Sequence, residues 1–347
     1  MQLTQVGDEA NRLERLTRNR GGLWESIALE LLGLLLFVGI FNFVLPSLGD
    51  VFGSTGRIVL GAIFSLVPAA IWLVFFYRLD RREPEPKQMV INVFVLGMLF
   101  MAAIYQPILK GVFGIDEWLY QSAASRFFGG ILVVGFIEQA IVYLAVRFGV
   151  FENIEFDERV DGVIYAVAAG LGVATVVNFV YVAERGGVDL DIGSIRMVVN
   201  ALAYGSLAGV LGYFIGQAKF EVTPIWYMPA GLTLAALLHG IFFGILGRTS
   251  RGLNVHPWGD LWIAAFLSVL LLILVFWLVG RANEETLRLA RSGSVAAANA
   301  AIDAPAAVAP TAAPAVLKAA PAGTTEAGES LLQNTSTETS ASQGGAA

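Results

Sequence analysis

The sequence predicts an all-α membrane protein, a polytopic bundle of about eight transmembrane helices, and three observations carry that prediction. Charged residues make up only 14% of the chain, against roughly a quarter in soluble domains, while 56% is hydrophobic and the mean hydropathy is +0.69. Apolar runs of about 20 residues, long enough to cross a hydrocarbon layer of ~30 Å as a helix, recur along most of the chain. The connections between these runs are short and hold Pro46, Pro84, Pro86, Pro224 and Pro257, which interrupt one helix before the next begins.

Residues 1–22 form a charged arm containing Asp8, Glu9, Arg12, Glu14, Arg15, Arg18 and Arg20. The run that follows is too long for the core of a signal peptide, so the arm reads as cytoplasmic and the run as a true span. Residues 23–281 then form the bundle, with spans near 24–44, 57–77, 88–110, 126–147, 161–183, 196–217, 226–247 and 258–280. Lys and Arg concentrate on one side of these spans: Arg78, Arg81, Arg82, Lys87, Arg147, Arg159, Lys219 and Arg281 join the arm there. The positive-inside rule therefore predicts a multi-pass protein of the cell membrane with both termini in the cytoplasm.

Residues 282–347 are expected to be a juxtamembrane segment and a tail. Glu284 and Arg288 stand four apart and can pair if the last helix continues to about 292. From about Ser292 the chain is rich in Ala, Pro, Ser and Thr without an apolar period, a composition that predicts disorder.

Composition also excludes chemistry. The chain has no cysteine, which removes disulfides, thiolate nucleophiles and cysteine-held metals. No basic stripe interleaved with aromatics points to nucleic acid, and the one obligatory partner is the lipid bilayer. What remains is carboxylate, imidazole, amide and hydroxyl chemistry.

Ionisable groups are costly at membrane depth, so each is a functional candidate. Glu138 and Gln139 fall near the middle of the fourth span, Asn178 in the fifth, Asn200 and Tyr204 in the sixth, and His239 in the seventh. Glu30 lies near the cytoplasmic end of the first span, where it can reach the interface. Glu138 and His239 occur at similar depth on spans of opposite direction, which would let a carboxylate meet an imidazole. Taken alone, that pair is compatible with a structural polar contact, a proton or ion path, or a metal site. Two deep ligands fall short of the three protein ligands a catalytic zinc requires.

Two further stretches stand out. YRLDRREPEPKQ, from Tyr77 to Gln88, is a charged turn stiffened by Pro84 and Pro86. FDERVDGVIYAVAAGLG, from Phe156 to Gly172, opens the fifth span with glycines that permit close helix approach.

Together, LDRREPEP (Leu79 to Pro86), IEQAIV (Ile137 to Val142), FDERVDGVIY (Phe156 to Tyr165), GLGVATVVN (Gly170 to Asn178), LGYFIGQA (Leu211 to Ala218) and LLHG (Leu237 to Gly240) resemble the PrsW family of intramembrane metalloproteases. The resemblance covers about residues 75–245, and within it Asp80, Glu83, Pro84, Glu85, Pro86, Asp157, Asp161, Gly162 and Asn178 match as structural motif positions. It implies a core like that of the CAAX-prenyl proteases and a zinc peptidase that cuts membrane-embedded substrates such as anti-sigma factors. It also implies a site: a Glu-Glu-x-x-Lys helix, a later Glu-Asn pair and two histidines on further helices.

Residue by residue, this chain departs from that site. Glu138 matches the first glutamate, but the second is Gln139, and the lysine position is Val142. Val177 stands for the glutamate before Asn178, Tyr204 for the first histidine, and Phe243 for a polar position four residues after His239. The catalytic pair Glu138 and Gln139 is thus vestigial, and Glu138 with His239 is an incomplete metal set. The resemblance implies a degenerate, pseudoprotease relative that needs no cofactor and holds a membrane-embedded partner, such as a single-span protein. The alternatives are an active metallopeptidase using zinc with Glu138 as base, and a transporter or ion-path component.

Overall fold

The computed structural model describes residues 32–40, 45–79, 85–184, 193–250 and 257–303, and every regular element among them is a helix. In chain order these are α1 (32–40), α2 (Leu45–Leu79), α3 (Lys87–Val112), the short α4 (Ile115–Trp118), α5 (Ala123–Gly149), α6 (Arg159–Glu184), α7 (Gly193–Phe220), α8 (Tyr227–Ser250) and α9 (Pro257–Asp303). Among the described residues, seven helices are long and apolar enough to span a membrane, and they coincide with the second to eighth expected spans. The arm 1–22, Glu30 and most of the first expected span lie outside the described residues.

The helices are not equivalent. In α6 and α7, 78% and 83% of the spanning window is buried, against 28% in both α3 and α9. The first two therefore form the centre of the bundle, and α3 and α9 lie at its periphery.

Small residues explain why α6 and α7 sit together. Gly162, Ala166 and Gly170 recur every four residues on α6, and Ala208, Gly212 and Gly216 do the same on α7. A Cβ at Gly162 would come within 2.5 Å of Gly212 O and Gly216 N, and one at Gly212 within 2.7 Å of the Ala166 Cβ. Backbone thus meets backbone along the seam, the packing that drives helix association where lipid removes the hydrophobic incentive. On another face of α6, Gly172 lies against Phe94 O of α3, and Gly97 of α3 lies against Ala169 O.

Two features depart from expectation. The path into the second span is kinked at Gly53, whose φ of 62° suits a residue without a Cβ. The last helix runs to Asp303, past Ser292, where the change in composition had predicted its end. Residues 296–302 are mostly alanine, the strongest helix former, and local propensity carries the helix through them. The expected pairing in this helix is present, with Arg288 3.9 Å from Glu284, and Arg281 adds a second pair 3.1 Å from Glu285. The chain divides between Ala296 and Ala297. Of the second part only the helical residues to Asp303 are described.

Candidate functional site

The site is assembled where α5 departs from regular α-helical winding. Gly130–Gly135 is wound as a π segment, in which the Phe136 N–H reaches back to Ile131 O. Its glycines let α5 press against α8: a Cβ at Gly135 would lie 2.5 Å from Ala236 O, and one at Gly130 3.3 Å from Gly240 O. Glu138 follows this segment on α5 and His239 precedes Gly240 on α8, so the close approach delivers both side chains to one point. His239 Nε2 lies 2.7 Å from Glu138 Oε2. Its N–H is out of line with that oxygen, so the contact is a close polar approach rather than an aligned hydrogen bond.

Two neighbours complete the group. The Tyr204 hydroxyl donates to the same Glu138 Oε2 at 2.9 Å, and its ring stands edge-on to His239 with centroids 4.5 Å apart. Gln139 Nε2 lies 3.0 Å from His239 Nδ1, which accepts when the ring proton is on Nε2. Gln139 Oε1 is buried without a partner. Glu138, Gln139, Tyr204 and His239 are each at most 4% exposed, so the group is dry except where Glu138 and Tyr204 face a cleft.

A second polar pair lies beside the first. Asn200 Nδ2 donates to Asn178 Oδ1 at 2.9 Å, and Asn178 Nδ2 donates to Met197 O at 3.2 Å. These bonds lock α6 to α7, and Asn178 acts there as a packing residue that satisfies its own polarity.

The cleft measures about 370 Å³. Glu138, Asn200 and Tyr204 form its polar floor, and Val134, Val177, Phe242 and Phe243 contribute apolar wall. Tyr105, Asp116, Glu184 and Arg196 add polar and charged lining. Lys110 bridges two of these, at 2.5 Å from Glu184 and 3.0 Å from Asp116, and the Arg196 guanidinium stacks 3.9 Å over Tyr181. Tyr105 and Lys110 belong to a second π segment, Tyr105–Val112, so both breaks in regular winding border this cavity.

Three positions at which this chain departs from the resembled family, Val177, Tyr204 and Phe243, line the cleft together with Glu138. Of the other two, Gln139 contacts His239 and Val142 is buried one turn beyond Glu138 on α5. Sequence reasoning missed Tyr105, Asp116, Tyr120, Glu184 and Arg196. For Arg196 a signal existed, because Arg196, Asn200 and Tyr204 are spaced by four and share one face of α7.

The remaining motif residues gather elsewhere. The Tyr165 hydroxyl donates to Glu85, Asp161 accepts from the Glu158 N–H at 2.6 Å, and the Asp161 carboxyl lies against Glu85. The two motifs therefore meet each other, and along α6 Tyr165 is about 20 Å from Asn178 at 1.5 Å per residue. Pro86 precedes the first turn of α3, Gly162 sits in the α6–α7 seam, and Asp157 is exposed. Asp80, Glu83 and Pro84 lie outside the described residues.

The donor set does not fit a catalytic zinc ion. One carboxylate and one imidazole converge, and the other groups are a phenol and an amide. Among the described residues, no three His, Cys, Asp or Glu side chains are placed to hold a metal ion, whereas catalytic zinc takes three protein ligands and a water.

Comparison with known proteins places this cleft in a wider context. The family described as PrsW family intramembrane metalloprotease matches residues 85–279. Protease PrsW of Geobacillus kaustophilus is 30% identical over 195 residues, covering 54% of this chain and 83% of the relative. That of Oceanobacillus iheyensis is 28% identical over 223 residues, 64% of this chain and 95% of the relative. That of Bacillus subtilis is 25% identical over 188 residues, 54% and 82%. No solved structure matches the chain.

Proposed function

Because the chain belongs to the PrsW family of intramembrane metalloproteases, we propose that it is a non-catalytic member, a membrane protein that uses the inherited cleft to hold a membrane-embedded partner. One observation carries this reading: the Tyr204 hydroxyl occupies Oε2 of Glu138 where the family resemblance expects a histidine, and the adjoining walls are Val177 and Phe243. Activating a water for attack on an amide takes a base and a metal held by three ligands. Here Gln139 is an amide that cannot act as a base, and the Tyr204 hydroxyl engages the Glu138 carboxylate without supplying a metal ligand.

The scaffold nonetheless keeps what binding requires. The α6–α7 seam and the Asn178–Asn200 pair fix the central helices, and the cavity is of the size that takes a side chain or a short extended segment. The partner class that fits is a single-span membrane protein, held in the cell membrane by a chain whose two termini face the cytoplasm.

A photoactivatable phenylalanine analogue at Phe243, in the full-length protein in its native membrane, tests this directly. Capture of an uncut single-span protein, together with far less than one zinc per purified chain, is the expected result. Stoichiometric zinc with chelator-sensitive cleavage that disappears in Glu138→Gln would show an active peptidase instead.

A further inference from the structure

The cleft carries an unbalanced charge. Its lining contains the carboxylates Asp116, Glu138 and Glu184 and the single base Arg196. Lys110 pairs with Asp116 and Glu184 together. Three acids against two bases leave one negative charge.

With the His239 ring neutral, the local contacts of Glu138 leave that charge in place. Oε2 accepts from the Tyr204 hydroxyl and lies beside the Nε2 edge of His239, whose Nδ1 accepts from the Gln139 amide when the ring proton is on Nε2. The phenol donates a hydrogen bond and the neutral ring adds a close polar edge, and neither neutralises the carboxylate. Arg196 stands two turns along α7 from Tyr204, about 12 Å by helical rise, with its guanidinium face against Tyr181.

The walls select the kind of cation. Tyr105, Tyr120 and Phe243 present aromatic rings, and Val177 adds aliphatic surface. Rings and methyl groups give a bare metal ion no ligands, but they suit a cation carried on carbon. A volume of about 370 Å³ is far larger than a naked ion and accommodates an ammonium or guanidinium with its alkyl stem.

We infer that the cleft takes an organic monocation, a primary ammonium or a guanidinium, whose head pairs with Glu138 while its stem lies against Val177 and Phe243. This rests on the non-catalytic reading above and gives the held group a chemical class. The cation can arrive as a free amine or as a Lys or Arg side chain from a partner's span, where such a residue needs a counter-charge at depth.

The test is thermal unfolding of the full-length protein in detergent, titrated with n-butylammonium chloride, with n-butanol and NaCl as matched controls and ZnCl₂ in parallel. Butylammonium is expected to raise the midpoint saturably, the controls are not, and Glu138→Gln should weaken the response at least tenfold. Should Glu138→Gln fail to fold, Val177→Lys gives a second reading: its built-in ammonium should abolish the butylammonium response.

An absent butylammonium response in the wild type, or an equal one in folded Glu138→Gln, overturns the inference and leaves the non-catalytic reading standing. A saturable zinc response lost in Glu138→Gln overturns that reading itself. Butylammonium added before photolysis that blocks capture of the partner at Phe243 assigns the head to a partner's side chain, whereas binding with capture unchanged assigns it to a free amine. Either outcome supports an organic cation.

Discussion

Tyr204 and His239 stand edge to face, 4.5 Å apart, and both reach the same oxygen of Glu138. A single carboxylate oxygen thereby joins three spanning helices, α5, α7 and α8. The arrangement explains how a site lacking most of its expected ligands keeps a defined shape.

Tyr204→Phe should retain the ring contact and lose only the hydroxyl. Interhelical hydrogen bonds in membrane bundles average roughly 0.6 kcal/mol and reach about 1.7, so a loss in that range is expected. Tyr204→Ala also removes the ring and should cost about 3–5 kcal/mol, as for other large aromatic truncations. Unfolding of the two variants in matched micelles measures both, and equal costs would show that the hydroxyl, not the ring, holds the site together.

Gly162→Leu should prevent normal assembly, because its first side-chain carbon already meets Gly212 O and Gly216 N at 2.5 Å. Overpacking costs typically about 1–3 kcal/mol, and here the obstacle is backbone that cannot turn aside. Gly280→Ala is the contrasting case, with nothing within 4 Å of the added carbon. It should leave the protein monodisperse on gel filtration, where Gly162→Leu should not.

Asn178→Ala strands the Asn200 amide inside the bundle. The cost expected for a buried donor left unpaired is about 1–3 kcal/mol. Since Asn178 and Asn200 bond directly, the double variant should cost less than the sum of the two singles. A double-mutant cycle reads this, and strict additivity would count against the bond.

Restoring the expected ligand types together, with Gln139→Glu, Val142→Lys, Val177→Glu, Tyr204→His and Phe243→Asn, should create zinc affinity that the parent lacks. Val177, Tyr204 and Phe243 already face the cleft beside Glu138, and Gln139 touches His239. Metal analysis of the purified, folded variant should find close to one zinc per chain, reduced by adding Glu138→Gln. A folded variant without zinc would mean that these positions do not form the family's site.

The bundle was legible because its causes are local. Each of the seven described spans shows itself as an apolar run, and the depth of Glu138 and of His239 follows from counting along their runs. The cleft was only half legible. Glu138, Asn200, Tyr204 and His239 stand out as polar groups in apolar surroundings, while Asp116 and Glu184 lie near the ends of spans, where charge is ordinary. The π segments left no clear mark either, since Gly130 and Gly135 read equally well as packing glycines. Past Ser292, a tail composition concealed the alanine run that extends α9 to Asp303.

The sequence by itself determined that this chain lives in lipid, how many of its described helices cross, and which side chains lie too deep to be bystanders. Those outcomes depend on transfer energy and helix length, which are sums over neighbouring residues. Only the tertiary structure decided that Tyr204 and His239 share one oxygen of Glu138 and that Val177 and Phe243 wall the same cavity. Those juxtapositions depend on the rotation and spacing of helices, set by backbone contacts at Gly135, Gly162 and Gly212 between segments distant in the chain.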